Sequence, residues 1–181
     1  MTDSTTWGLA TVPAKDGLEL LAPPVAAAIL AGHLPGALVT EIDPGLADTA
    51  AMSEAYDVPL EAGGNCVVIT GRRGGEPRTA ACVVLATTRA DVNNTVRRRL
   101  DVRKASFMSQ DEAVAATGME YGGITPAGLP EAWPVLVDAR VTAVPYVIVG
   151  SGVRRSKLLV PGSELAGLPG AEVVEGLAKP V

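Results

Sequence analysis

Apolar positions along this chain come in short runs divided by glycine and proline. Residues 65–70 and 79–86 are nearly continuous runs joined by Gly71-Arg72-Arg73-Gly74-Gly75-Glu76-Pro77, which predicts two central strands closed as a hairpin. Shorter runs predict strands over residues 36–42, 104–108, 135–138, 146–149 and 157–160, and residues 171–176 close the chain. Helices are expected where start and stop signals flank alanine-rich segments. Pro23-Pro24 opens one that ends before Pro35-Gly36, and residues 46–56 follow the Asp43-Pro44-Gly45 turn with the alanine and methionine content of a one-faced helix. Asp91 is placed to cap a helix running to Leu100. Ser109 and Glu112 have capping-box spacing, with Gly118 at the stop, and a brief helix is expected after Ser163. This irregular interleaving predicts an α+β fold, a mixed, twisted sheet with peripheral helices, rather than regular βαβ winding. Residues 1–19 read as a loose N-terminal leader and residues 20–181 as one domain, with no repeat or dividing linker.

Composition sharpens the picture of the core. Hydrophobic residues make up 48% of the chain and aromatics only 3%, so the interior must be built from small branched side chains packed closely. The formal net charge of -5 argues against the broad cationic face of a nonspecific nucleic-acid binder, DNA included, and leaves room only for a local basic patch. The apolar stretch over residues 20–34 is interrupted by Pro23-Pro24, too short to span a bilayer, and preceded by Asp3, Asp16 and Glu19 rather than a basic segment. Neither a membrane nor a secretory signal is expected. Cys66 and Cys82 sit inside valine and alanine runs, where a thiol behaves as a small buried hydrophobe, and the compartment reads as cytoplasmic.

Several chemistries find no support. The single histidine, His33, sits where a short helix ends, and the two cysteines do not form a paired motif, so no metal or other cofactor is expected. Gly150-Ser151-Gly152 lacks the five-residue nucleophile-elbow pattern, and residues 71–75 lack the Lys-Ser/Thr ending of a phosphate-binding loop.

Two features carry candidate chemistry. In Tyr121-Gly122-Gly123-Ile124-Thr125-Pro126-Ala127-Gly128, three glycines and a proline describe either a glycine-rich corner or a backbone left open to a ligand. In the second reading the N–H groups near Gly122 and Gly123 point at a carbonyl or phosphate. Arg97, Arg98, Arg99, Arg103 and Lys104 form a basic cluster, equally a charged helix end or a contact for a phosphate backbone. Arg154, Arg155 and Lys157 make a smaller cluster after the Gly150 loop.

In order, Asp43-Pro44, the strand from Asn65, Thr117-Gly118-Met119-Glu120-Tyr121-Gly122-Gly123-Ile124-Thr125-Pro126-Ala127-Gly128-Leu129, Leu136-Val137-Asp138 and Gly150-Ser151-Gly152-Val153-Arg154 resemble one family. The chain is similar, over about residues 39–176, to YbaK-type proteins and the editing domain of bacterial prolyl-tRNA synthetase. The resemblance implies a barrel-like mixed sheet and a small pocket that hydrolyses the ester joining a wrong amino acid to tRNA. It also implies mischarged tRNA as partner, with an aminoacyl-tRNA synthetase as a second. Carried onto this chain, Gly122 and Gly123 supply backbone amides for the oxyanion, and Asn65 stands where the family has its functional lysine. Ile124, Thr125, Pro126, Asp138, Gly150, Ser151, Gly152 and Lys157 are expected around the substrate, and the basic cluster on tRNA. Lys157 replaces an aspartate of the bacterial deacylases, reversing the charge there.

The chemistry needs no protein nucleophile, because a terminal ribose hydroxyl can help place the attacking water. An asparagine cannot make the charge-assisted contact of an ammonium. Two readings therefore stand: a free-standing deacylase with an altered pocket, with Lys157 supplying the cation that Asn65 lacks, or a module that binds tRNA ends, an aminoacyl group or a protein without hydrolysis.

Overall fold

The computed structural model describes residues 6–181. The strands, in chain order, are β1 (Thr11–Pro13), β2 (Leu38–Glu41), β3 (Gly64–Arg73), β4 (Glu76–Leu85), β5 (Thr88–Ala90), β6 (Ala105–Phe107), β7 (Val135–Asp138), β8 (Val147–Gly150), β9 (Ser156–Val160), β10 (Ala171–Val174) and β11 (Ala178–Pro180). The helices are α1 (Pro23–Leu30), α2 (Thr49–Ala55), α3 (Arg97–Leu100), α4 (Gln110–Thr117) and α5 (Ala139–Thr142).

The expected hairpin is the spine of the molecule. β3 and β4 pair antiparallel along their whole length, extending past the apolar runs to meet at Gly74-Gly75. Both glycines have positive φ, 58° and 83°, the geometry of a tight hairpin turn. Around this pair a five-stranded sheet takes the order β10-β7-β4-β3-β6, with β7 parallel to both β4 and β10. A second, antiparallel sheet has the order β1-β2-β9-β8, and β11 pairs with β5. Valines and leucines of both larger sheets, among them Val83, Val137, Val149 and Leu158, pack with α1 in one buried cluster. The α+β class is as expected, and the sheets remain open rather than closing into a barrel.

The two larger sheets touch where it matters for function. Gly63 forms a bridge to Ile148, and a Cβ added at Gly64 would lie 2.9 Å from a Val147 methyl. Only glycine admits this approach. Asn65 follows immediately, so this contact carries the start of β3 to the ends of β8 and β9.

Local signals act largely as expected. Pro23 and Pro24 occupy the first turn of α1, the Ser109 hydroxyl accepts from the Glu112 N–H at 3.3 Å, and Gly118 ends α4 with φ 68°. Three expectations need correction. Among the described residues of the leader, β1 pairs with β2 and Ala14 is buried in the core, so this part belongs to the fold; residues 1–5 lie outside the described residues. The helix expected after Asp91 does run to Leu100 with Asp91 at its N-cap position, but it is not regular: the Asp91 carboxylate accepts from the Asn94 and Thr95 side chains, the chain winds as a π turn over Val92–Val96, and α3 adds four residues before Asp101 ends it with φ 54°. Asp138 caps α5 by accepting from the Arg140 N–H at 2.9 Å, a helix too short to show a period in sequence. No helix of the described residues is long and apolar enough to cross a membrane.

Candidate active site

A cleft of about 400 Å³ opens where the two larger sheets meet. Of the residues singled out from sequence it is lined by Asn65, Gly122, Ile124, Gly150 and Lys157. Asp48, Thr49, Cys66, Phe107, Met108 and Tyr121 complete much of its wall. Segments from six separate parts of the chain thus converge, through the register of β8 on β9 that places Gly150 opposite Lys157 and the β3–β8 bridge that brings Asn65 beside them.

The glycine segment is held from behind by the 150–152 loop. The Gly152 N–H donates to the Gly123 carbonyl at 2.7 Å, and the Glu120 N–H to the Gly152 carbonyl at 2.8 Å. Gly150 packs so close to the Gly123 carbonyl that a Cβ would collide with it. The Gly123 N–H is itself occupied, donating to the Glu120 carbonyl at 3.0 Å, and Gly123 is buried. It is therefore not the free amide expected from sequence. Gly122, exposed and with φ 79°, lines the cleft, and its N–H has no hydrogen-bond partner among the described residues.

Arg154 determines how that amide is turned. Its guanidinium donates to the Tyr121 carbonyl and to the Pro44 carbonyl, each at 3.2 Å, and its backbone N–H donates to the Glu120 carboxylate at 2.9 Å. In a trans peptide the C=O and the following N–H point opposite ways. Holding the Tyr121 oxygen thus aims the Gly122 N–H away from Arg154. Asp48 lies 3.9 Å from the same guanidinium and tethers it from the cleft wall.

Lys157 is buried, with 7% of its surface exposed, and its side chain makes no ion pair or hydrogen bond with the described residues. Burial pulls its pKa down from 10.5 to about 8, partly offset by the Asp48 carboxylate and reinforced by the Arg154 cation. An unpaired, desolvated ammonium is costly to keep, and such groups concentrate at functional sites. Asn65 is half-buried, and its carbonyl accepts from the Thr49 hydroxyl at 2.7 Å, which leaves the amide N–H₂ as a donor. Cys82 is buried as expected, with its thiol pushed up to about 12. Cys66 departs from expectation in being half-buried and lining the cleft; burial raises its thiol pKa, with the nearby Cys82 contributing, so it stays protonated.

The remaining sequence candidates stand behind or away from the cleft wall. Thr125 is fully buried, with its hydroxyl unpartnered. Pro126 lines a separate depression between α1 and Trp133. Ser151 donates into the 150–156 loop and accepts from the Ser156 hydroxyl at 2.7 Å, and Gly152 has φ 88° against Ala22. Asp138 is 1% exposed, its second oxygen accepting from the Ala178 N–H at 2.9 Å, so its carboxylate serves the backbone.

The basic cluster also divides. Arg97 donates to the Asn93 carbonyl and Arg99 pairs with Glu172, whereas Arg98, Arg103 and Lys104 have no partner among the described residues. Arg103 and Lys104 border a groove of about 900 Å³ that meets the cleft at Met108. Among the described residues, no group of three or more His, Cys, Asp or Glu side chains is placed to hold a metal. The cleft residues that sequence reasoning missed, Asp48, Thr49 and Phe107 among them, carry no motif of their own. The one legible sign is that Phe107 is the only phenylalanine.

Solved structures share this architecture. A protein assigned as a trans-editing enzyme for prolyl tRNA synthetase superposes with a TM-score of 0.72 at 21% identity, covering 85% of this chain and 94% of its own. A scaffold used for computational grafting of epitope backbones matches equally, with a TM-score of 0.72, 21% identity, and 85% and 95% coverage. A protein from Marinobacter aquaeolei VT8 assigned to signal transduction matches with a TM-score of 0.55 at 19% identity over 86% of this chain but 30% of its own. At these identities the likeness establishes the fold. The model of the aminoacyl-tRNA editing domain matches residues 43–168, a span that includes the glycine segment, Asn65 and Lys157. By that match over most of its length, the chain belongs to the aminoacyl-tRNA editing domain family.

Proposed function

We propose that this protein is a free-standing aminoacyl-tRNA deacylase that hydrolyses the ester of mischarged tRNA, with Lys157 as the cation of its pocket. The observation that carries the reading is the buried, unpaired Lys157 ammonium in one cleft with the Asn65 amide and the free Gly122 N–H. In this mechanism, water placed with help from a terminal ribose hydroxyl attacks the ester carbonyl. The Gly122 N–H stabilises the oxyanion, and collapse breaks the bond to the ribose oxygen, which takes up the proton given up by the water as the amino acid is released. Lys157 and Asn65 hold the aminoacyl ester or the terminal phosphate by charge and hydrogen bond. Ile124 and Gly150 shape the side-chain end of the pocket. The partners are then mischarged tRNA and, by association, an aminoacyl-tRNA synthetase, and the place of work is the cytoplasm.

A second reading, a binding module without hydrolysis, is favoured by the asparagine at position 65. One experiment separates them: deacylation of tRNAs carrying Cys, Ala, Ser or Pro by the wild type, Asn65→Lys, Lys157→Asp and the double variant. We expect activity in the wild type on at least one ester. Each single change should cost 10-fold or more, roughly one charge-assisted hydrogen bond, because Asn65→Lys places two cations together and Lys157→Asp replaces the one cation of the pair with a carboxylate. The double variant, which restores the family's charge arrangement, should recover activity. Activity only where Asn65→Lys is present would identify a module whose chemistry lapsed. Activity in none of the four would overturn the deacylase reading.

The unpartnered part of the basic cluster is assigned to tRNA phosphates. Neutralising Arg98, Arg103 and Lys104 should weaken binding of all tRNAs alike and lower the slope of log affinity against log salt by roughly 0.7 to 0.9 for each phosphate no longer neutralised. An unchanged slope would leave these side chains as solvated charges.

A further inference from the structure

The cleft does not end at Asn65. Asn65, Val67 and Phe107 also border a second groove, of about 730 Å³, that runs past β6 to Arg89, Asn93 and Lys179. Phe107 stands at the junction on the edge strand of its sheet and is 62% exposed. Nothing in the packing of the core requires a phenylalanine there. Tyr121, 54% exposed, stands on the wall of the same cleft. In a chain with six aromatic residues other than histidine, two large exposed aromatics at one cleft mouth are a concentration.

We propose that this second groove seats the single-stranded 3′ end of an RNA, with Phe107 as the face on which a base stacks and Arg89 and Lys179 beside the backbone. The proposal rests on the deacylase reading for the placement of the ester in the cleft. Once the terminal ribose lies near Asn65, the preceding nucleotides must leave by a channel continuous with it. The 730 Å³ groove shares three lining residues with the cleft, Asn65 among them, whereas the groove bordered by Arg103 and Lys104 shares only Met108. Base stacking on an aromatic face is tolerant of sequence and suits a single strand. Lys179 is partly neutralised by Asp91 at 3.6 Å, so the groove has little surplus charge and recognition leans on stacking. Placement of Arg103 and Lys104 on the other side leaves those cations for the paired stem.

The test uses the full chain with Phe107→Ala, Phe107→Trp and Arg89→Ala/Lys179→Ala. Binding is read by anisotropy of a 5′-labelled single-stranded RNA ending in CCA with a free 3′ hydroxyl. Hydrolysis is compared on mischarged tRNA and on 3′-O-alanyl-adenosine, which lacks the preceding nucleotides. Phe107→Ala should weaken RNA binding about 10-fold, within the range of one unstacked base, and Phe107→Trp should restore it. Its kcat/KM should fall at least several-fold further on tRNA than on alanyl-adenosine. Unchanged RNA binding, no binding by the wild type, or equal losses on both esters would overturn the groove. Loss of binding on neutralising Arg103 and Lys104 but not on altering Phe107 would overturn it in favour of the opposite side. If the wild type hydrolyses neither ester, the deacylase reading fails, while the anisotropy series still decides whether the groove takes RNA.

Discussion

Replacing Lys157 with methionine is expected to make the protein more stable and, at the same time, to slow deacylation sharply. The ammonium is buried without a hydrogen-bond partner, and methionine fills a similar volume without a charge to desolvate. The folded protein releases the proton at about 8 and the unfolded chain at about 10.5, so below pH 8 the group destabilises the fold by roughly 3 kcal/mol. Between those values the unfolded state binds more protons. Wild-type stability should therefore rise with pH across that window relative to Lys157→Met, and the two denaturation midpoints should converge toward pH 10.5. Activity should move the other way. If the charged form holds the ester, kcat/KM falls as pH rises through about 8, and Lys157→Met is slower by about 100-fold at pH 7, the scale of one electrostatic interaction with the transition state. A rate that climbs through pH 8 would instead make the neutral amine a general base. A methionine variant as active as the wild type would remove Lys157 from the mechanism.

The second large effect is expected at Gly122. A side chain there meets two obstacles, a φ of 79° and the Arg154 guanidinium, which occupies the place of the added Cβ. Gly122→Ala should cost about 1–2 kcal/mol of stability, from the left-handed backbone. It should cost roughly 100-fold or more in kcat, because the cleft amide that has no partner is turned from its position. Arg154→Ala should lower kcat as well, by freeing the Tyr121 carbonyl and with it the plane of the next amide. Since both changes act on one peptide plane, the double variant should be scarcely slower than Gly122→Ala alone. Additive losses would mean that Arg154 touches the substrate on its own account. Gly123→Pro would be uninformative, because the Gly123 N–H already donates to the Glu120 carbonyl and its Cβ position lies 2.9 Å from the Val153 nitrogen.

The features legible in sequence are local ones. Proline at the start of α1, the serine cap and glycine stop of α4, and the paired glycines of the β3–β4 turn act through a few neighbouring backbone groups, so their effect is written in adjacent residues. The family resemblance is legible for a related reason: the glycine segment needs consecutive residues that tolerate close packing, and these stand together as a contiguous motif. Which residues face the cleft depends instead on tertiary packing. Asp91 reads as a cap in sequence, yet its carboxylate serves side chains of a π turn; Asp138 reads as a neighbour of the substrate, yet β11 takes its second oxygen. The leader reads as loose because three residues of β1 have no pattern until β2 lies beside them. Gly122 and Gly123 are equivalent in sequence, and the Glu120 carbonyl separates them by occupying one amide. Lys157 becomes a candidate cation through register: pairing of β8 with β9, and the glycine contact of β3 with β8, set it and Asn65 on one wall although 92 positions separate them. Such a juxtaposition depends on how sheets pack, and no local propensity encodes it.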